Sequence, residues 1–115
     1  MLIMVERNVA QHLHANVRPT DPQQVLKSTS WSVRVVGDFM IVMNNLLSIP
    51  VIIRHPQQFG DSRAFLAAFK REFLRLLEAL PVPRGKIGMI RDAQLANFNF
   101  TSPIPAAIQQ RLQVF

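Results

Sequence analysis

Ser30-Trp31-Ser32-Val33-Arg34-Val35-Val36-Gly37-Asp38-Phe39-Met40-Ile41-Val42-Met43-Asn44-Asn45 sets the architecture of this chain. From Ser30 the apolar period is two: Trp31, Val33 and Val35 point one way, Ser30, Ser32 and Arg34 the other, as a half-buried strand requires. Gly37-Asp38 puts glycine at the first central position of a two-residue type II′ hairpin turn. Phe39 to Met43 returns apolar on both faces, which predicts a central position in the sheet. Asn44 and Asn45 take left-handed turn conformations at low cost, so a second turn there would deliver Ser48 to Ile53 as a third antiparallel strand.

Upstream, Leu2 to Val5 reads as a short strand. Val5, Val9, Leu13 and Val17 recur at four-residue spacing, the stripe of a short helix that Arg18-Pro19-Thr20-Asp21-Pro22 converts into a connector. Downstream, Gly60-Asp61 before Ser62-Arg63-Ala64 marks a helix start with Asp61 or Ser62 as the N-cap, and Pro81 ends it after Leu80. Phe65, Leu66, Phe69, Phe73, Leu76, Leu77 and Leu80 fall within an arc of roughly 120°, the width of a helix laid on a sheet. Lys86 to Ile90 and Asn97 to Phe100 read as further short strands, and Pro103 to Leu112 as a closing helix with Ile108 and Leu112 on its apolar stripe. These elements predict a single α+β domain over residues 1–115. Its sheet is expected to be mostly antiparallel, with one long amphipathic helix packed on it and shorter terminal helices.

The 115 residues, 49% hydrophobic and 17% charged, are enough for one core and too few for two. A chain of this length predicts a radius of gyration of roughly 13 Å. The absence of cysteine excludes disulfides, thiolate zinc sites, thiolate nucleophiles and iron–sulfur clusters, and a reducing cytoplasm is the expected compartment. Thirteen Lys and Arg against seven Asp and Glu give a net charge of +6. The sequence pI of about 11.4 exaggerates that excess, because with no Tyr or Cys little loses charge between neutral pH and the lysine range. The run Met1 to Val5 meets Glu6 and Arg7 too soon for a secretory leader, and the apolar window 39–53 is broken by Asn44, Asn45, Ser48 and Pro50, well short of a membrane span of ~20 residues. A soluble protein with no membrane partner is expected.

His12 and His14 stand about 200° apart on a helix and cannot share a metal there. His55 lacks a nearby carboxylate. Asp61 and Asp38 have capping and turn roles, and Glu72 reads as a helix-surface pair with Arg75 and Glu78 with Arg71 or Arg75, so no carboxylate pair remains for acid and base work. No nucleophile-elbow, P-loop or dinucleotide fingerprint is present. No cofactor, metal or catalytic residue is therefore expected, and a small enzyme with a site near His55 ranks third among the functions the sequence allows.

The candidate face for nucleic acid or another anion is Arg63, Lys70, Arg71 and Arg75, extended by Arg54, Arg84, Lys86 and Arg91. The phenylalanines lie on the opposite, apolar side, where they fill a core rather than stack on bases. Leu74 breaks the helix pattern by projecting among Arg63, Lys70, Arg71 and Glu78. With Leu112, Val114 and Phe115 it forms a candidate homodimer interface, and packing of the closing segment within the chain would bury the same groups equally well.

The order of these elements resembles a family of small bacterial, plasmid and phage proteins classed as a domain of unknown function. The likeness runs over nearly the whole chain. It is carried by Leu2 before a short helix ending around Leu13, the Trp31 strand, a strand closing in Val42-Met43-Asn44-Asn45, the apolar strand Ile49 to Ile53, the Phe-rich helix and the late segment from Asn97 and Asn99 to Ser102. In that family a Thr follows the strand-ending Asn, where Leu46 or Leu47 stands here, and Phe100-Thr101-Ser102 replaces an Asn-Arg-Ser. The resemblance implies an α+β fold, no established activity and an accessory role on mobile elements. It singles out Asn44, Asn45, Asn97 and Asn99 as amides that would form one polar site if the strand ends converge, although Asn also terminates strands for local reasons. The function expected is a non-catalytic interaction protein engaging a protein or anionic partner, with nucleic-acid binding through the basic helix face as the alternative.

Overall fold

In the computed structural model, which describes residues 1–27, 29–54, 59–95 and 98–113, the hairpin forms, but Ser30 and Ser32, on the face expected to be open, are buried, and Val35, on the face expected to be covered, is 43% exposed. Strands β3 (Ser30–Val36) and β4 (Phe39–Asn44) pair antiparallel with Val36 opposite Phe39, leaving Gly37-Asp38 as a two-residue loop. Gly37 has φ 55° and Asp38 does not share that sign, the pattern of a type II′ turn. The second turn works differently from expectation. Asn44 Oδ1 accepts from the backbone N–H of Leu46 (3.1 Å) and Leu47 (2.9 Å), and the left-handed residue is Ser48 at φ 55°. The asparagine contributes its side-chain acceptor rather than its tolerance of positive φ. Strand β5 (Pro50–Arg54) then pairs antiparallel with β4.

The remaining strands change the sheet from the expected mostly antiparallel one to a mixed one. Strands β1 (Leu2–Met4), β2 (Val17–Pro19) and β6 (Asn99–Ser102) complete the order β2-β6-β1-β3-β4-β5, in which β1 is parallel to both β3 and β6, and β6 is parallel to β2. Alternation along a strand reports which face is buried and not which way a neighbour runs, so strands of three or four residues carry no signal of direction. Helix α1 (Arg7–His12) stops before Val17, which lies in the edge strand β2 instead of on the helix stripe; His14 at φ 51° turns the chain between them.

Helix α2 (Ser62–Ala79) starts where Asp61 accepts from the Ala64 N–H at 2.9 Å. Its buried stripe of Phe65, Phe69, Phe73 and Leu77 lies on one face of the sheet, where Trp31 stands edge-on to Phe69 (5.1 Å between centroids) and Phe73 (5.5 Å). Residues 86–90, expected as a strand, belong to helix α3 (Arg84–Leu95). Ile87 and Ile90 are half-buried against the same core, and Gln94 accepts from the Trp31 indole N–H at 3.1 Å, so three residues at helical spacing face inward. Two glycines hid that pattern. Helix α4 (Ala106–Leu112) covers the opposite face, where Ile104, Ile108 and Leu112 pack on Met4, Met43 and Val25. The α+β unit has a radius of gyration of 13.4 Å, and among the described residues no helix is long and apolar enough to cross a membrane.

Candidate functional site

Strand β5 ends the sheet and pairs with β4 on one side only. Its Ile52 is 43% exposed and Phe39, at the start of β4, 44%. Edge strands in natural proteins are usually short or charged because an open row of backbone donors and acceptors recruits another strand. Here the edge runs beside α2. A recess of about 1020 Å³ is lined by Phe39, Ile52, Phe59 and the α2 alanines 64, 67 and 68, together with Arg54, Arg71, Arg75 and Glu72. The small alanines keep the helix side low, and three arginines against one glutamate give the lining a positive excess.

Glu72 holds the two helical arginines in place: its Oε1 lies 3.3 Å from Arg71 Nε and 3.2 Å from Arg75 Nη1. The arginine side chains stay 61% and 69% exposed, so they remain open to an anion. The basic face read from the sequence divides in two. Arg71 and Arg75 line the recess; Arg63 and Lys70, seven residues apart on the neighbouring stripe, are exposed and do not line it. Leu74, between these stripes, is half-buried.

Among the described residues, Asn99 lies apart from Asn44 and Asn45. Asn45 is fully buried: its N–H donates to the Ser30 carbonyl at 2.8 Å, its Oδ1 accepts from Ser32 Oγ at 2.6 Å, its Nδ2 lies 3.5 Å from Met4 Sδ, and its carbonyl accepts from Arg111 Nη1. Arg111 also donates to Ser48 Oγ, so α4 is fastened to the second turn. Asn44, 2% exposed, organises that turn. Asn99 lies at the same end of the sheet, but β1 and β3 stand between β6 and β4, a separation of about 14 Å at ~4.8 Å per strand. Leu112 is 2% exposed, buried within the chain on the inner face of α4, the intramolecular alternative to an interface. Asn97, Val114, Phe115 and His55, with the enzyme site placed near it, lie outside the described residues. Among the described residues no group of His, Asp or Glu could hold a metal ion.

Arg71 and Arg75 are legible in the sequence as cations, but the recess they both line is not, because the edge position of β5 depends on strand order. The Ala64, Ala67, Ala68 spacing was the available signal: a small-residue side of an otherwise bulky helix. No protein-family model matches the chain, and no curated protein or solved structure matches it.

Proposed function

We propose that this chain is a non-catalytic interaction protein that binds an acidic, extended segment of a partner protein along β5. The observation that carries the proposal is the coincidence of an edge strand, an apolar-lined recess and three arginines. A partner strand adding to β5 would gain main-chain hydrogen bonds, while alternate side chains reach Phe39 and Ile52 or the guanidinium groups. Arginine suits this role because its planar fork takes a carboxylate through two hydrogen bonds. The net charge of +6 steers an acidic partner toward the protein. An accessory of mobile elements, the role implied by the sequence resemblance, needs no more than such a docking module.

The test is an amide-resolved NMR titration of the labelled protein with a peptide of about six residues alternating Glu with Val or Ile. A same-length Lys-for-Glu peptide and a single-stranded oligonucleotide serve as comparators. Shifts on β5 and on α2 from Ala64 to Arg75 with the acidic peptide alone, lost in Arg71→Glu/Arg75→Glu, are the expected result. Stronger binding of the oligonucleotide, spread over Arg63 and Lys70 as well and falling steeply with salt, would replace this proposal with nucleic-acid binding.

A further inference from the structure

Strands β1 and β3 run parallel as neighbours, with Met4 opposite Ser32. Continued by two residues, that register sets Glu6 opposite Arg34. The strands part before they get there: β1 ends at Met4 and Glu6 becomes the residue preceding α1, while β3 continues to Val36. From this point the chain leaves β1 toward β2 on one side of the sheet and leaves β3 toward β4 on the other. Crevices at the carboxyl ends of parallel strands whose connections diverge are where open α/β sheets hold their ligands.

A cavity of about 220 Å³ occupies this crevice, lined by Glu6, Arg34, Gln109, Val9, Val33 and Leu112 among others. Its polar groups are partly committed and partly free. Glu6 Oε1 accepts from Gln109 Nε2 at 2.7 Å, and the same nitrogen lies 3.0 Å from the Ile104 carbonyl. Arg34 Nη1 donates to the Leu112 carbonyl at 2.9 Å. Among the described residues Glu6 and Arg34 form no ion pair with each other, although they line one cavity. The second carboxylate oxygen of Glu6, the Oε1 of Gln109, and Nε and Nη2 of Arg34 have no partner among the described residues. One wall thus offers acceptors and another offers a cationic fork, with valine, isoleucine and leucine between them.

We infer that this crevice binds a small zwitterion, a free α-amino acid with an aliphatic side chain. Its carboxylate meets Arg34, its ammonium group meets Glu6 and Gln109 Oε1, and its side chain rests on the apolar lining at Val9, Val35 and Leu112. The volume fits this class, lying between the ~150 Å³ that holds a benzene and the ~300 Å³ at which drug-sized pockets begin. A singly charged ligand would engage only one of the two charged walls. The site is separate from the β5 recess and does not depend on the function proposed there.

The test is a calorimetric or NMR titration of the unaltered protein with leucine, leucinamide and N-acetyl-leucine. Leucine is expected to bind saturably, with the amide and the acetylated form each weaker by about tenfold or more, as loss of a hydrogen bond to a charged group predicts. Arg34→Gln should remove the preference for leucine over leucinamide, and Glu6→Gln the preference over N-acetyl-leucine. Because the three ligands are compared on the unaltered chain, the result stands even if a variant fails to fold. Equal binding of all three, or no saturable response to leucine at tens of millimolar, would overturn the inference.

Discussion

The Ser32 hydroxyl donates to Asn45 Oδ1 at 2.6 Å with both residues sealed from solvent, so the first strand of the hairpin is tied to the turn that follows the second. This pair and the Arg111 contact to the Asn45 carbonyl explain how α4 stays on its face of the sheet. Replacing Asn45 with Ala strands the Ser32 hydroxyl in the core, at a cost of about 1–3 kcal/mol for the unsatisfied group, besides the cavity. Ser32→Ala in the Asn45→Ala background should cost much less than Ser32→Ala alone. A double-mutant cycle by urea denaturation measures the coupling, and strict additivity would show that the pair does not act as a unit.

Thr101 in β6 presents the opposite case. It is 4% exposed, and its hydroxyl is the buried side-chain polar atom that finds no partner among the described residues. The methyl of valine fills the same space without desolvating a hydroxyl, so Thr101→Val should raise stability by about 1 kcal/mol, read as a higher urea midpoint at unchanged slope. A loss of stability would mean that the hydroxyl has a partner, such as a buried water.

Two glycines should respond to alanine in opposite directions. A Cβ at Gly37 meets nothing within 4 Å, so the cost of Gly37→Ala is that of holding an L-residue at φ 55°, about 1–2 kcal/mol. At Gly88, inside α3, a Cβ would make only an ordinary contact at 3.9 Å with Arg91, and alanine should stabilise the helix by about 0.5–1 kcal/mol. Thermal melts of the two variants check both signs. Destabilisation by Gly88→Ala would count against a helix at residues 84–95.

The hairpin and α2 were legible in the sequence because each has a local cause: the period of two, Gly37, the Asp61 cap and a wide phenylalanine stripe. The parallel pairing of β1 was not, since it depends on which distant strands meet. Helix α3 was hidden because Ile87 and Ile90 suit a strand as well as a helix and Gly85 and Gly88 weaken the helical reading. The basic face was legible as charge, yet its division into a recess-lining pair and an outlying pair follows from where β5 lies. Glu6 looked like one scattered carboxylate among seven. Its presence with Arg34 around one cavity follows from the pairing of β1 with β3, which no spacing within either segment reveals.

Glu72 separates stability from binding at the proposed site. It pairs with Arg71 and Arg75 at 3.3 and 3.2 Å, and exposed pairs of this kind contribute about 0–1 kcal/mol, so Glu72→Gln should leave the melting temperature nearly unchanged. The same change removes the one negative charge that lines the recess among the described residues and releases both guanidinium groups. If an acidic segment binds there, Glu72→Gln should bind the acidic peptide several-fold more tightly at low salt. The gain should fade toward 1 M salt, where screening acts over about 3 Å. Fluorescence anisotropy across a salt series reads both effects. Weaker binding by this variant would mean that Glu72 presents the arginines in a geometry they lose without it, and that order rather than net charge governs the recess.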